Sequence, residues 1–169
     1  MLLPFLRLTL AASLLISTTA LAAEAPNWTL QVDPLTTALG YVHLQVERAL
    51  TPRWSVYAGP HMRLYDNVFS AERQPFSGHG VEVGVRRFVT GAAPKGTWLQ
   101  VRGVAAHLMA GDEVDFGGYV SGLGGYTHIF DSGLVLSGGA GAQYVNYTIG
   151  SYGARGFFPA LHTTFGYAF

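Results

Sequence analysis

The chain has 169 residues, ten Lys+Arg against ten Asp+Glu for a formal charge of zero, and 12% charged residues where ~25% is usual. Hydrophobic residues reach 49% and aromatics 13%, with 22 glycines and no cysteine. This excludes a disordered chain, a disulfide framework and a Cys-based zinc or redox site, and the neutral balance argues against nucleic-acid binding, which needs a basic face to displace counterions.

Residues 1–22 read as a cleaved signal peptide. Arg7 precedes the apolar run Leu8 to Ile16, and Ala20-Leu21-Ala22 is a small-x-small cleavage site. The run is too short for a spanning helix, which needs ~20 apolar residues, and no Cys stands at the cleavage point to carry a lipid. Residues 23–169 are expected to form one domain.

That domain has period two, with Val, Tyr, Phe and Thr alternating with small or polar residues. Eight strands are predicted, at 28–35, 39–50, 53–64, 78–89, 97–109, 115–130, 133–147 and 156–169. Pro34 and Thr36-Thr37 blur the first junction, and Pro60 and Pro159 predict a kink, a bulge or an offset strand end. Short turns are expected at Thr51-Pro52, Gly91–Gly96 and Asp131-Ser132-Gly133, and longer loops at 65–77, 110–114 and 148–155. Gly122-Leu123-Gly124-Gly125 precedes no helix and lacks the Gly-Lys-Ser/Thr ending, so it is no phosphate loop.

Alternation predicts one apolar face per strand. Val42, Leu44 and Val46 oppose His43, Gln45 and Glu47; Val81, Val83 and Val85 oppose Glu82, Gly84 and Arg86; Leu99 and Val101 oppose Gln100 and Arg102; Leu161 and Phe165 oppose His162 and Thr164. The polar faces are too sparse and glycine-rich for a water-facing surface, which usually holds ~25–35% charge. Aromatics gather near strand ends at Tyr41, Trp54, Trp98, Tyr126, Phe130, Tyr167 and Phe169, as in interface girdles. Arg48 and Arg87, on the apolar faces, lie near short turns where they can snorkel. The expectation is an all-β, eight-stranded antiparallel up-and-down transmembrane β-barrel.

Phe165-Gly166-Tyr167-Ala168-Phe169 resembles the terminal signal read by the outer-membrane assembly machinery, with Phe165, Tyr167 and Phe169 as its aromatic positions. Residues 27–169 resemble small eight-stranded barrels of the OmpA-transmembrane or OmpX-like kind. Pro34-Leu35, Gln45-Val46-Glu47-Arg48-Ala49-Leu50 and Ala93-Pro94-Lys95-Gly96 are similar to a family of small barrels known only as a domain of unknown function. The resemblance implies a fold and the outer membrane of a Gram-negative bacterium, and no activity.

Eight strands leave a bore that side chains fill. By parity Glu47, Arg63, Glu82, Arg86 and Arg102 face inward, with Gln45, Gln100, Gln143, Tyr57 and Ser137 among them. Charges in such a lumen must pair. Glu47 is expected within reach of Arg86 and Arg102, and Glu82 nearer Arg63. His43, His61, His128 and His162 are placed inward, and His79 and His107 outward. No two histidines sit two apart on one strand, so a metal cluster would have to form across strands; no metal, cofactor or catalytic residue is expected. The chain lacks the His-x-Ser of lipid A deacylases; His162-Thr163-Thr164 is the nearest echo. The longest loop offers Tyr65, Phe69 and Arg73, and Arg155 lies at the same end, as contacts for lipopolysaccharide or a surface partner. The expected role is a monomeric outer-membrane protein, structural or interactive at the surface, with lipid and the assembly machinery as partners. A lipid A-modifying acyl hydrolase or transferase, or a narrow gated ion channel, is the alternative.

Overall fold

The structure, a computed structural model, describes residues 26–38, 40–63 and 77–169. The leader at 1–22 and the loop residues Tyr65, Phe69 and Arg73 lie outside the described residues. Eight strands follow one another: β1 (Trp28–Val32), β2 (Tyr41–Thr51), β3 (Trp54–Arg63), β4 (Ser77–Phe88), β5 (Gly96–Ala110), β6 (Glu113–Ile129), β7 (Leu134–Ile149) and β8 (Tyr152–Ala168). Each pairs antiparallel with the next, and β8 returns to β1 through Thr29↔Ala168 to Val32↔Phe165, closing the cylinder. The fold is an all-β, eight-stranded up-and-down barrel. We call the end that carries the turns after β2, β4 and β6 the lower end.

The structure departs from the expected layout in two places, each with a local cause. β1 stops at Val32, and a short helix, α1 (Pro34–Ala38), follows. Asp33 caps it: Oδ1 accepts from the Thr36 amide at 3.0 Å, and Pro34 occupies the first helical position, where a missing N–H is harmless. Thr163 of β8 donates its hydroxyl to the same Asp33 Oδ1 at 2.9 Å, pinning the helix to the barrel wall. Second, the expected loops 110–114 and 148–155 are two-residue hairpins. Ala110↔Glu113 flanks Gly111-Asp112 and Ile149↔Tyr152 flanks Gly150-Ser151. Gly111 at φ 60° and Gly150 at φ 54° supply the first central position of a type II′ turn, whose twist matches the strands.

The prolines, where an irregularity is expected, sit where the ladders are incomplete. Gly59 and Pro60 pair with Glu82 and Val81 on β4 but have no counterpart in the β2 ladder, where Pro60 has no N–H to offer. Pro159 pairs with Ala142 on β7. Among the described residues, β8 from Tyr152 to Thr164 has no strand on its β1 side.

The side chains are distributed inside out. Among the described residues, 18 buried ones are polar or charged and 14 hydrophobic. The outer wall meanwhile exposes Leu44, Val46, Val56, Val81, Val83, Leu99, Val101 and Leu161, with Phe157 at 82%. Two expected girdle aromatics belong inside: Trp98 is fully buried, sharing its face with Gln100 and Arg102, and Tyr41 packs against His61 with ring centroids 5.6 Å apart and planes tilted by 32°. His128 does the reverse. Thr127 and Ile129 take the inner positions, so His128 faces out between Tyr126 and Phe130.

Trp98 closes the lower bore with Phe88, Leu123 and Ala160, and donates from Nε1 to Thr127 Oγ1 at 2.9 Å. Its ring needs bare backbone beside it: a Cβ on Gly125 or Gly139 would lie 2.4 or 2.5 Å from it. Gly125→Val should therefore cost about 1–3 kcal/mol by overpacking, read as a lower urea midpoint, whereas Gly122→Ala, with nothing within 4 Å of its Cβ, should unfold like the parent.

Candidate functional site

The lumen holds two polar layers. The lower is built on Arg86 of β4, which is fully buried. Its guanidinium donates from one terminal nitrogen to Glu47 Oε2 at 2.7 Å, from Nε to Gln100 Oε1 at 2.6 Å, and from the other terminal nitrogen to His162 Nε2 at 2.7 Å. Because a guanidinium cannot accept, His162 Nε2 is the acceptor and the proton of that ring sits on Nδ1. Tyr57 and Trp98 flank the guanidinium carbon at 5.1 and 4.8 Å, so the cation lies between π-faces. Glu47 is equally dry. It accepts from Ser55 Oγ at 2.5 Å and from Gln31 Nε2 at 3.1 Å as well as from Arg86. Gln31 in turn accepts from Thr164 Oγ1, so side chains of β1, β2, β3, β4, β5 and β8 meet across the bore.

The upper layer is built on Glu82. Its Oε2 lies 2.6 Å from His43 Nδ1 and accepts from the Tyr119 hydroxyl at 3.4 Å. Its Oε1 lies 3.8 Å from Arg102, which also donates from Nε to Ser121 Oγ at 2.8 Å and across the bore to Leu161 O at 3.3 Å. His61 faces His43, its Nδ1 lying 3.1 Å from Nε2 and 3.4 Å from Nδ1 of that ring. On its far side His61 Nε2 meets the Tyr147 hydroxyl at 3.4 Å. His43, His61 and Glu82 are all buried, and their ligating atoms lie within 4.8 Å of one another. Beside them is a cavity of about 460 Å³, bordered by Leu35 of α1 and by Phe158 and Pro159 on the stretch of β8 that lacks a strand neighbour. Above it Val104, Leu108, Tyr147 and Ile149 form an apolar cluster.

The five inward charges are all buried, but their pairing differs in part from the expected one. Glu47 meets Arg86, while Arg102 belongs to the layer above. Glu82 meets His43 and Arg102 in place of Arg63, whose guanidinium donates to the Tyr41 hydroxyl at 3.2 Å and lies over that ring at 5.5 Å. Arg155 is exposed and donates from Nε to Tyr144 Oη at 3.3 Å. Phe165, Tyr167 and Phe169 face outward at the lower end.

Parity alone missed the meeting of His43 and His61, yet the hairpin carried the signal. Each lies nine residues from Pro52 in the turn (52 − 43 and 61 − 52), and the ladder places them opposite one another.

No protein-family model, curated protein or solved structure matches the chain. The superfamily resemblance therefore rests on the sequence motifs, and the chain itself supplies the closed eight-stranded barrel with its two-layered lumen.

Removing one partner of a dry ion pair strands the other. Arg86→Met should destabilise the fold by about 3–5 kcal/mol, and the double variant Arg86→Met/Glu47→Gln should regain much of that loss in urea unfolding. Equal loss in single and double variants would mean that the pair does not couple.

Proposed function

We propose that the chain is an integral outer-membrane β-barrel of a Gram-negative bacterium, with a structural or surface-interaction role. The observation that supports it is the banding of the outer wall. On β8 the outward residues Phe157 and Tyr167 are ten residues apart (167 − 157), and on β6 so are Phe116 and Tyr126 (126 − 116). Ten residues at ~3.3 Å each, tilted ~40°, rise about 25 Å, the height of a lipid-facing apolar band between two aromatic girdles. Val120, Leu161 and Phe165 fall between those girdles, and Val81, Val83, Val85, Leu99 and Val101 continue the aliphatic surface on neighbouring strands. A water-soluble monomer rarely exposes apolar patches beyond a few hundred Å².

The cations on that wall fit the same reading. Arg48 lies over Trp28 at 5.0 Å and Arg87 over Trp54 at 5.8 Å, all at the lower rim, where aliphatic stems stay in the apolar band and guanidiniums reach headgroups. The terminal aromatics Phe165, Tyr167 and Phe169 suit recognition by the assembly machinery, and lipid including lipopolysaccharide is the medium around a monomer.

The lower polar layer speaks for a plug over a channel, since Arg86 and Glu47 are bound from several strands and wholly dry. The acyl-transfer alternative is carried by one feature: Glu82, His43, His61 and the Tyr147 hydroxyl lie in contact in that order, a carboxylate, two imidazoles and a hydroxyl.

The test is extraction and gel migration. The protein should stay with membranes through carbonate washing, need detergent for release, and run at different positions boiled and unboiled. Free solubility of the folded chain without detergent would overturn the membrane reading. In planar bilayers the parent should give no discrete conductance steps; regular steps would overturn the plug.

A further inference from the structure

The geometry points to a divalent transition-metal site in the upper lumen, with His43, His61 and Glu82 as ligands and an ion of the zinc class as cargo. This goes beyond the membrane role and does not depend on it, because it rests on what meets inside the barrel.

Two imidazoles and one carboxylate are the donor set that borderline divalent ions prefer, and three protein ligands with an open position are the usual complement of a reactive or exchangeable site. Bonds of ~2.1 Å at tetrahedral angles place ligand atoms ~3.4 Å apart. His43 Nδ1 and His61 Nδ1 are 3.4 Å apart, with His61 Nδ1 3.1 Å from His43 Nε2 as well, so binding requires the two rings to turn about their Cβ–Cγ bonds until both Nδ1 lone pairs meet one ion. Glu82 Oε2 is nearer, 2.6 Å from His43 Nδ1, the separation of a hydrogen bond with a proton between the two atoms. An ion entering there takes that proton's place: the His43 Nδ1–H proton leaves to solvent, Nδ1 and Oε2 both bind the metal, and the carboxylate swings outward by under an ångström.

The surroundings supply outer partners for the ligands. Arg102 lies 3.8 Å from Glu82 Oε1, and the Tyr119 hydroxyl donates to Oε2 at 3.4 Å, leaving that oxygen's other lone pair, now on the His43 side, for the ion. With His61 Nδ1 as ligand, its Nε2–H points at the Tyr147 hydroxyl 3.4 Å away, the kind of outer partner that fixes a ligating imidazole. The fourth position opens on the 460 Å³ cavity, which both histidines line and which has room for water or an anionic ligand. Such a ligand would also offset the charge of the ion next to Arg102.

The outer wall supplies the control. His79 and His107 form a second cross-strand pair, rings 5.3 Å apart, facing away from the lumen, and among the described residues no carboxylate completes a three-ligand group with them.

The experiment uses the full folded chain without a polyhistidine tag, stripped with chelator and titrated with Zn²⁺ by calorimetry, then with Co²⁺ followed by visible absorption. The expected result is one equivalent bound, with the intense visible bands of four-coordinate Co²⁺. His61→Gln should weaken binding by at least ~100-fold, and His79→Ala/His107→Ala should leave it unchanged. Should His61→Gln fail to fold, histidine ¹⁵N spectra of the parent give the answer: Zn²⁺ must shift the ring nitrogens of His43 and His61. Absence of stoichiometric binding to the folded parent, or binding lost in the outer-pair variant and kept in His61→Gln, would overturn the assignment.

Discussion

A guanidinium shut away from bulk solvent governs this interior. Arg86 keeps its charge in a dry bore because a carboxylate, an amide and an imidazole accept from three of its nitrogens and two aromatic rings cover its faces. Those acceptors come from β2, β5 and β8, so the cation's solvation shell is the barrel wall itself. An isolated charge of that kind costs several kcal/mol, and each acceptor missing from its place returns part of that cost. The charge therefore specifies register: a one-residue slip in any of these strands would turn its acceptor to the outer face.

Period two made much of this legible. The inward placement of Glu47, Arg63, Glu82, Arg86 and Arg102 follows from counting along each strand, because neighbouring side chains point to opposite sides of a sheet. Counting says nothing about height across strands. Parity alone leaves Glu82 equally compatible with Arg63, whereas the β3–β4 register puts it opposite Gly59, two steps below His61, within reach of His43. On β6 the inward face is Ser121, Leu123, Thr127 and Ile129, with Thr127 bonded to Trp98 across the lumen, so the even-numbered His128 points out in place of the expected inward position. The tight turns at Gly111 and Gly150 were hidden by polar neighbours that resemble loop composition. α1 was hidden by Pro34, which reads equally well as the end of a strand or the first residue of a helix.

The two polar layers divide the lumen by chemistry as well as by height. Below, Arg86 is enclosed by acceptors and two flanking rings and Glu47 by donors from three strands, an arrangement suited to rigidity. Above, His43 and His61 border a cavity beside a stretch of β8 that lacks a neighbouring strand among the described residues, with Glu82 bonded to His43 behind them. The Tyr57 ring covers the lower layer's Arg86, and Arg102 belongs to the upper layer.

The shortness of β1 has a kinetic corollary. β8 is zipped to β7 through sixteen residue pairs and to β1 through only four. The seam that joins the first strand to the last is therefore the least cooperative stretch of the ladder, where backbone amides exchange with solvent soonest. It is also the natural last step of maturation: seven interfaces can form between sequence neighbours, while the eighth waits until the two ends of the domain have been brought together.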